Sequence, residues 1–242
     1  MLREPLELSR ETYQTLVRRT DAGDIHPTLV GGEKWYPPDE LAQLDGKADA
    51  ELEGQGWRAR DFAEVIALLQ RPTVDYYCWA KINGHDITVQ TATRGRDAVL
   101  AVANEDMLFL YPSRAETAAW DLVASFPDTP PVPKMLSLTC AQGDYEAALN
   151  GDAPMTSSSS ARDARRAAEW MRAPRIHVGR LYVALREGRE RRVRNEIPPY
   201  WIDTEQGRIL SSVTSPGWLT VAPASTQDLA QLLHQIEAEL RK

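Results

Sequence analysis

Apolar residues in the N-terminal third recur every three or four positions, the spacing of a single helix face. Ser9 caps a predicted helix carrying Tyr13, Leu16 and Val17. Asp39, after Pro37 and Pro38, caps a second with Leu41, Leu44, Ala48 and Leu52, which Gly54 and Gly56 stop. Asp61 caps a third, in which Phe62, Val65, Ile66 and Leu69 share a face. After Arg71-Pro72 the period drops to two: Val74, Tyr76, Cys78, Ala80 and Ile82 alternate with Asp75, Tyr77, Trp79 and Lys81, and Asn83-Gly84 suits a two-residue hairpin turn. Strands are expected next at 86–92, 98–103 and 107–111. Pro112-Ser113 then opens a helix with Ala119, Leu122, Val123 and Phe126 inward.

Two stretches read as linkers, the proline-rich 127–133 and the serine-ended 150–160. Short helices lie between and after them, the later one around Ala164, Ala167, Ala168 and Met171. The strand pattern then returns: 176–186, a turn at Glu187-Gly188, 189–195, 200–203, a turn at 205–207, 208–212 and 218–221. Pro223-Ala224-Ser225 opens a last helix with Leu229, Leu232, Leu233, Ile236 and Leu240 on one face. Gly84 aligns with Gly188 and Pro112 with Pro223, the second copy carrying extra residues at 197–199 and 215–217. The expected fold is α+β: one domain over 1–242, with pseudo-two-fold halves of about 1–133 and 134–242. The halves share a central, mostly antiparallel sheet with flanking helices, each covering edge and face that the other leaves open.

Composition narrows the function. A chain of 242 residues builds a full core without staples. Its net charge of -7 opposes binding to nucleic acid or an anionic bilayer. Two isolated cysteines, Cys78 and Cys140, suit a reducing compartment. The acidic, proline-bearing start is unlike a signal peptide and no apolar run is long enough to span a bilayer, so a cytoplasmic protein is expected.

Chemistry is sparse. Gly54-Gln55-Gly56-Trp57-Arg58-Ala59 fits a loose dinucleotide pattern but follows an acidic helix rather than a strand, and reads as a helix stop. The four histidines share no ligand spacing. Asp203-Thr204-Glu205-Gln206-Gly207 is better a hairpin turn than a calcium loop, and no serine sits in a nucleophile elbow. Cys78 falls on the apolar phase of its strand and reads as core. No catalytic residue, cofactor or metal site is expected. Two arginine clusters, one at 186–194 interleaved with glutamates and one at 162–175, read as solvated edges or partner patches.

The order of these blocks resembles the EspG family of type VII (ESX) secretion-associated chaperones. The resemblance is carried by Leu6-Glu7-Leu8-Ser9 and His26-Pro27-Thr28-Leu29, by 51–56 with 68–72, by 99–110, and by 201–208 with 218–225. It implies a cytosolic, non-catalytic chaperone that covers the apolar helical tip of a PPE protein in a PE–PPE pair and keeps it soluble. The chain departs from the family in being shorter than mycobacterial members and in a loop cut to 93–97, which leaves the cargo PPE-like rather than a defined PPE. It does not read as cargo itself, since no W-x-G is present and Tyr36–Glu40, which fits Y-x-x-x-E, precedes a helix. A small-molecule enzyme on the same fold and a structural homodimer remain the alternatives.

The partner is expected on the sheet. The uncharged phase of the first long strand should face helices, whereas Asp75, Tyr77, Trp79 and Lys81 set two aromatics between charges, the composition of an interface centre. The resemblance makes the turn with Arg94 and Arg96 the counterpart of the family's cargo-gripping loop. Tyr77, Trp79, Arg94 and Arg96 are therefore the expected partner contacts, against a second helix-covered face as the other reading.

Overall fold

The computed structural model describes residues 2–20, 23–30, 36–152, 158–188, 191–215 and 217–242. The chain runs β1 (Leu6–Ser9), α1 (Arg10–Thr20), α2 (Pro38–Gly54), α3 (Ala59–Gln70), β2 (Val74–Ile82), β3 (His85–Arg94), β4 (Asp97–Ala103), β5 (Met107–Arg114) and α4 (Ala118–Ala124). It continues with β6 (Leu138–Ala141), α5 (Gln142–Asn150), α6 (Ser159–Met171), β7 (His177–Glu187), β8 (Arg191–Arg194), β9 (Tyr200–Thr204), β10 (Gly207–Ser215), β11 (Trp218–Pro223) and α7 (Thr226–Leu240). The strands form one sheet ordered β1-β5-β4-β3-β2-β7-β9-β10-β11-β6, with β8 also on β7. Every strand pair is antiparallel. This is the expected α+β class. Among the described residues no helix is long and apolar enough to cross a membrane.

From the central β2–β7 ladder outward the two wings have the same order. The strand that opens each half, β1 or β6, returns to the outer edge beside the strand that closes its meander, β5 or β11. Neither opening strand was expected; each is four residues long, too short for its alternation to stand out. The second wing contains one difference. β3 lies along the whole of β2, from Ile82↔His85 to Val74↔Thr93. On β7 that edge is divided, β8 pairing with 184–187 and β9 with 177–180. The interruption holds Ile197 and Pro198-Pro199, where proline removes the donors a continuous strand requires.

Local rules explain most boundaries. Asn83 and Gly84 both have positive φ (52° and 84°), as a two-residue hairpin turn demands. Ser9 accepts a hydrogen bond from the Thr12 amide and Ser225 forms a reciprocal capping box with Asp228. Asp39 and Asp61 are not caps; each sits inside the first turn of its helix, where a carboxylate meets the positive end of the dipole. Pro112 remains in β5, paired with Val99, so the helix begins later than expected. The stretch 127–133 is docked rather than loose: Pro131 bridges Arg208 and Val132 is buried. Of the other linker, 153–157 lie outside the described residues, as do Arg189, Glu190 and Pro216 from the second copy.

The strand alternation sorts the core onto two faces. Val74, Tyr76, Cys78 and Ala80 pack with Leu181, Val183 and Leu185 under α4 and α7, as the pattern predicts. On the opposite face α1, α2 and α3 cover Ala92, Val99, Ala101 and Leu110 of the first wing. There α5 and α6 cover Ile202, Ile209 and Val221 of the second. The middle of that face, β2 and β7, lies between the two helix groups.

Candidate partner-binding surface

Register determines what the middle strip shows. Tyr77 pairs with Tyr182, Trp79 with Arg180 and Lys81 with Val178, all on the face that α1–α3 and α5–α6 share. Beyond Arg180 the next strand offers Tyr200. Where the wings carry aliphatic residues, this strip carries aromatics and cations. Tyr77 and Tyr182 stack with centroids 5.0 Å apart, and Trp79 meets each edge-on, at 5.3 Å from Tyr77 and 5.0 Å from Tyr182. Arg192 lies over Tyr77, Arg194 over Tyr182 and Arg175 over Tyr200, at 5.2, 5.5 and 5.7 Å from the ring centroids. Trp79, Tyr182 and Tyr200 are half-buried, while Arg180 and Arg194 are exposed.

Tyr77 was expected at the surface and is only 1% exposed. The segment 23–30 closes over it, His26 presenting its ring edge 5.0 Å away. Asp75, expected as a charged rim residue, is buried beneath the same segment. Its Oδ2 receives His26 Nε2 and Arg192 Nη2, each at 2.8 Å. Arg192 thus belongs to this buried network rather than to a solvated edge. The His26 ring is held at its other nitrogen, Nδ1, by the Thr28 hydroxyl at 2.8 Å and the Thr28 amide at 3.3 Å. Arg192 Nη2 also lies 2.9 Å from His26 Nε2, which closes Asp75, His26 and Arg192 into one cluster. Burial works to lower the Arg192 pKa, but the Asp75 carboxylate and the Tyr77 hydroxyl outweigh it and the guanidinium is raised above its ordinary value.

Asp75, His26 and Thr28 have the order of a catalytic triad, yet Thr28 is 1% exposed and its hydroxyl is engaged with the ring. Instead, the network ties the segment after α1 to β2 and, through Arg192, to β8. The stretch 203–207 is the hairpin turn it was read as, between β9 and β10, and its Asp203 forms a second buried pair with Arg208 at 2.7 Å. Arg208 also donates to the Pro127 carbonyl at 2.7 Å and lies over Trp201. Burial pushes the Cys78 thiol up to about 12 and the Cys140 thiol up to about 11. Among the described residues no three His, Cys, Asp or Glu side chains are grouped as a metal site.

The four expected contacts do not form one cluster. Trp79 is at the open strip with Tyr77 directly behind it, whereas Arg94 and Arg96 are at the far end of β3. Six residues separate the Trp79 partner Thr88 from Arg94, about 20 Å of strand. Arg94 Nη2 donates to the Ala67 and Arg71 carbonyls at 2.6 and 2.8 Å, satisfying the C-terminus of α3. Arg96 is exposed in the turn. Tyr182, Arg180 and Tyr200 were not anticipated, while Arg194 belongs to the arginine cluster read as a solvated edge or partner patch. The signal was available in 177–187, where Arg180 and Tyr182 alternate with Leu181 and Val183 as Tyr77 and Trp79 do with Cys78.

A family model described as the EspG family matches residues 9–235. No curated protein matches the chain. Among solved structures it is similar to the Mycobacterium tuberculosis type VII secretion system chaperone EspG5, determined in complex with a PE25-PPE41 dimer. The TM-score is 0.70 with 13% identity, over 96% of this chain and 95% of that one. At such identity the likeness establishes the fold alone.

Proposed function

The chain belongs to the EspG family, and from that premise we propose that it is a chaperone of type VII (ESX) secretion, binding the apolar helical tip of PE/PPE-like secreted proteins and keeping them soluble. The family match over residues 9–235 carries this reading. The mechanism is burial without turnover. An amphipathic helical tip is costly in water, and covering its apolar residues removes that cost. The strip of Trp79, Tyr182 and Tyr200 flanked by Arg180 and Arg194 supports it, since rigid aromatics with arginines are what interface centres are made of. We assign the partner to this strip, with Tyr77 as its backing and Arg96 at a distant rim. The protein is cytoplasmic, non-enzymatic and cofactor-free on this reading, with no nucleic-acid or bilayer partner. Residues 1–133 and 134–242 are two halves of one domain, which the repeated strand order supports.

The test is co-expression with PE/PPE-like pairs from the same genome, followed by sizing with light scattering. A soluble complex containing one such pair is the expected result. If every pair stays insoluble and the chain elutes as a homodimer alone, the chaperone reading fails and a structural role replaces it.

A further inference from the structure

At the far end of the same sheet face, a cavity of about 410 Å³ is lined by Arg71, Pro72, Thr73, Arg94, Arg186 and Gly188. Three elements bring the arginines together. Arg71 follows α3, Arg94 ends β3, and Arg186 lies near the end of β7. Thr73 joins them: its amide donates to the Thr93 carbonyl and its carbonyl accepts from the Arg186 amide, so β3 and β7 flank it.

Two of these side chains have partial structural explanations. Arg94 satisfies carbonyls at the end of α3, and Arg71 lies against Gly23, where an added Cβ would stand 2.9 Å from Nη2. Arg186 has none. Its Nε is buried and has no hydrogen-bond partner among the described residues, in a cavity that already holds two other guanidinium groups. Among the described residues no carboxylate pairs with Arg71, Arg94 or Arg186. A buried donor among like charges, in a chain of net charge -7, is arranged for an anion.

We propose that Arg71, Arg94 and Arg186 form an oxyanion pocket that takes an aspartate or glutamate side chain of the bound protein partner. The proposal rests on the chaperone reading above. Guanidinium forks match a planar carboxylate in bidentate geometry. Arg192 connects the two places, since it pairs across from Arg186 and lies over Tyr77. A helical tip seated on the aromatic strip therefore has an acidic side chain anchored beyond it, which adds register to a contact that is otherwise apolar.

The first arm of the test needs no partner. The full chain is titrated with N-acetylglutamate amide and, separately, with inorganic phosphate, while arginine Nε–H resonances are followed by NMR. The glutamate probe should shift the Arg186 and Arg94 signals saturably. Arg186→Gln and the exposed Arg71→Gln should each weaken the response left at Arg94 without moving the thermal midpoint. No saturable shift, or saturation by phosphate only, overturns the pocket as a carboxylate site. In the second arm Arg186→Gln should weaken binding of the partner pair at least about tenfold. Unchanged affinity refutes the anchoring while leaving the chaperone reading intact. If the unaltered chain binds no partner, the chaperone reading fails, and with it the assignment to a partner's side chain, while the first arm still decides whether the pocket binds carboxylate.

Discussion

At single positions the molecule depends on two kinds of close fit. Gly179 on β7 faces the Trp201 indole, and a Cβ there would stand 2.6 Å from its Nε1 and 2.9 Å from the Cys78 sulfur. All three are buried in the layer under α4 and α7, so none has room to yield. Gly179→Ala should destabilise by about 1–3 kcal/mol through overpacking, read as a lowered midpoint in urea with the slope unchanged. An unaffected midpoint would mean that Trp201 moves freely. Asp75 is the other kind. Its carboxylate is 2% exposed and accepts from His26 and Arg192 together. Asp75→Asn keeps the shape and removes the charge, leaving the half-buried Arg192 guanidinium without its counter-ion. The expected loss is about 3 kcal/mol. A double change with Arg192→Met should recover part of it, and a purely additive double mutant would count against the coupling.

Among elements, arginines and carboxylates attach helices to the sheet. Arg94 closes the end of α3, and Arg172 does the same for α5 through the Ala148 and Leu149 carbonyls at 2.7 and 2.6 Å. The last helix, α7, is held by Glu237, which accepts from the Tyr76 hydroxyl of β2 and from Arg241 at 2.6 Å. Burial raises the Glu237 pKa, but the Tyr76 hydrogen bond and the Arg241 guanidinium outweigh it, so the folded value lies below the ordinary 4.5. A depressed carboxylate stabilises the fold fully above its unfolded value and ceases to do so as the pH falls through the folded one. Glu237→Gln should accordingly lower the melting temperature near neutral pH, with the gap narrowing below about pH 4.3. Melting curves followed by circular dichroism across that range check this; a gap that stays constant would show that Glu237 acts by packing alone.

On the scale of the whole molecule, two helix groups stand on the wings of one sheet face and leave its middle to aromatics and arginines. On the proposed placement of the partner over that middle, Trp79→Ala is the decisive change: about 2 kcal/mol or more of affinity should be lost with the fold intact, measured by calorimetry against a co-purified partner pair. Equal affinity would move the partner elsewhere. Periodicity alone determined the three N-terminal helices, the long strands with their hairpin turn, the inward face of β2 and the last helix. Each of these is long enough for its own alternation to register, and each buries the face it advertises. The family resemblance, carried by local blocks along the chain, was equally legible. What the sequence did not determine is which outward phase stays open. Tyr77 and Trp79 share one alternation, yet the segment after α1 covers the first and leaves the second half-buried. Nor could it set Tyr182 and Arg180 beside them, because register across β2 and β7 joins residues about a hundred positions apart. Local alternation assigns a residue to a face; only the tertiary packing of other elements over that face decides whether solvent or a partner can reach it.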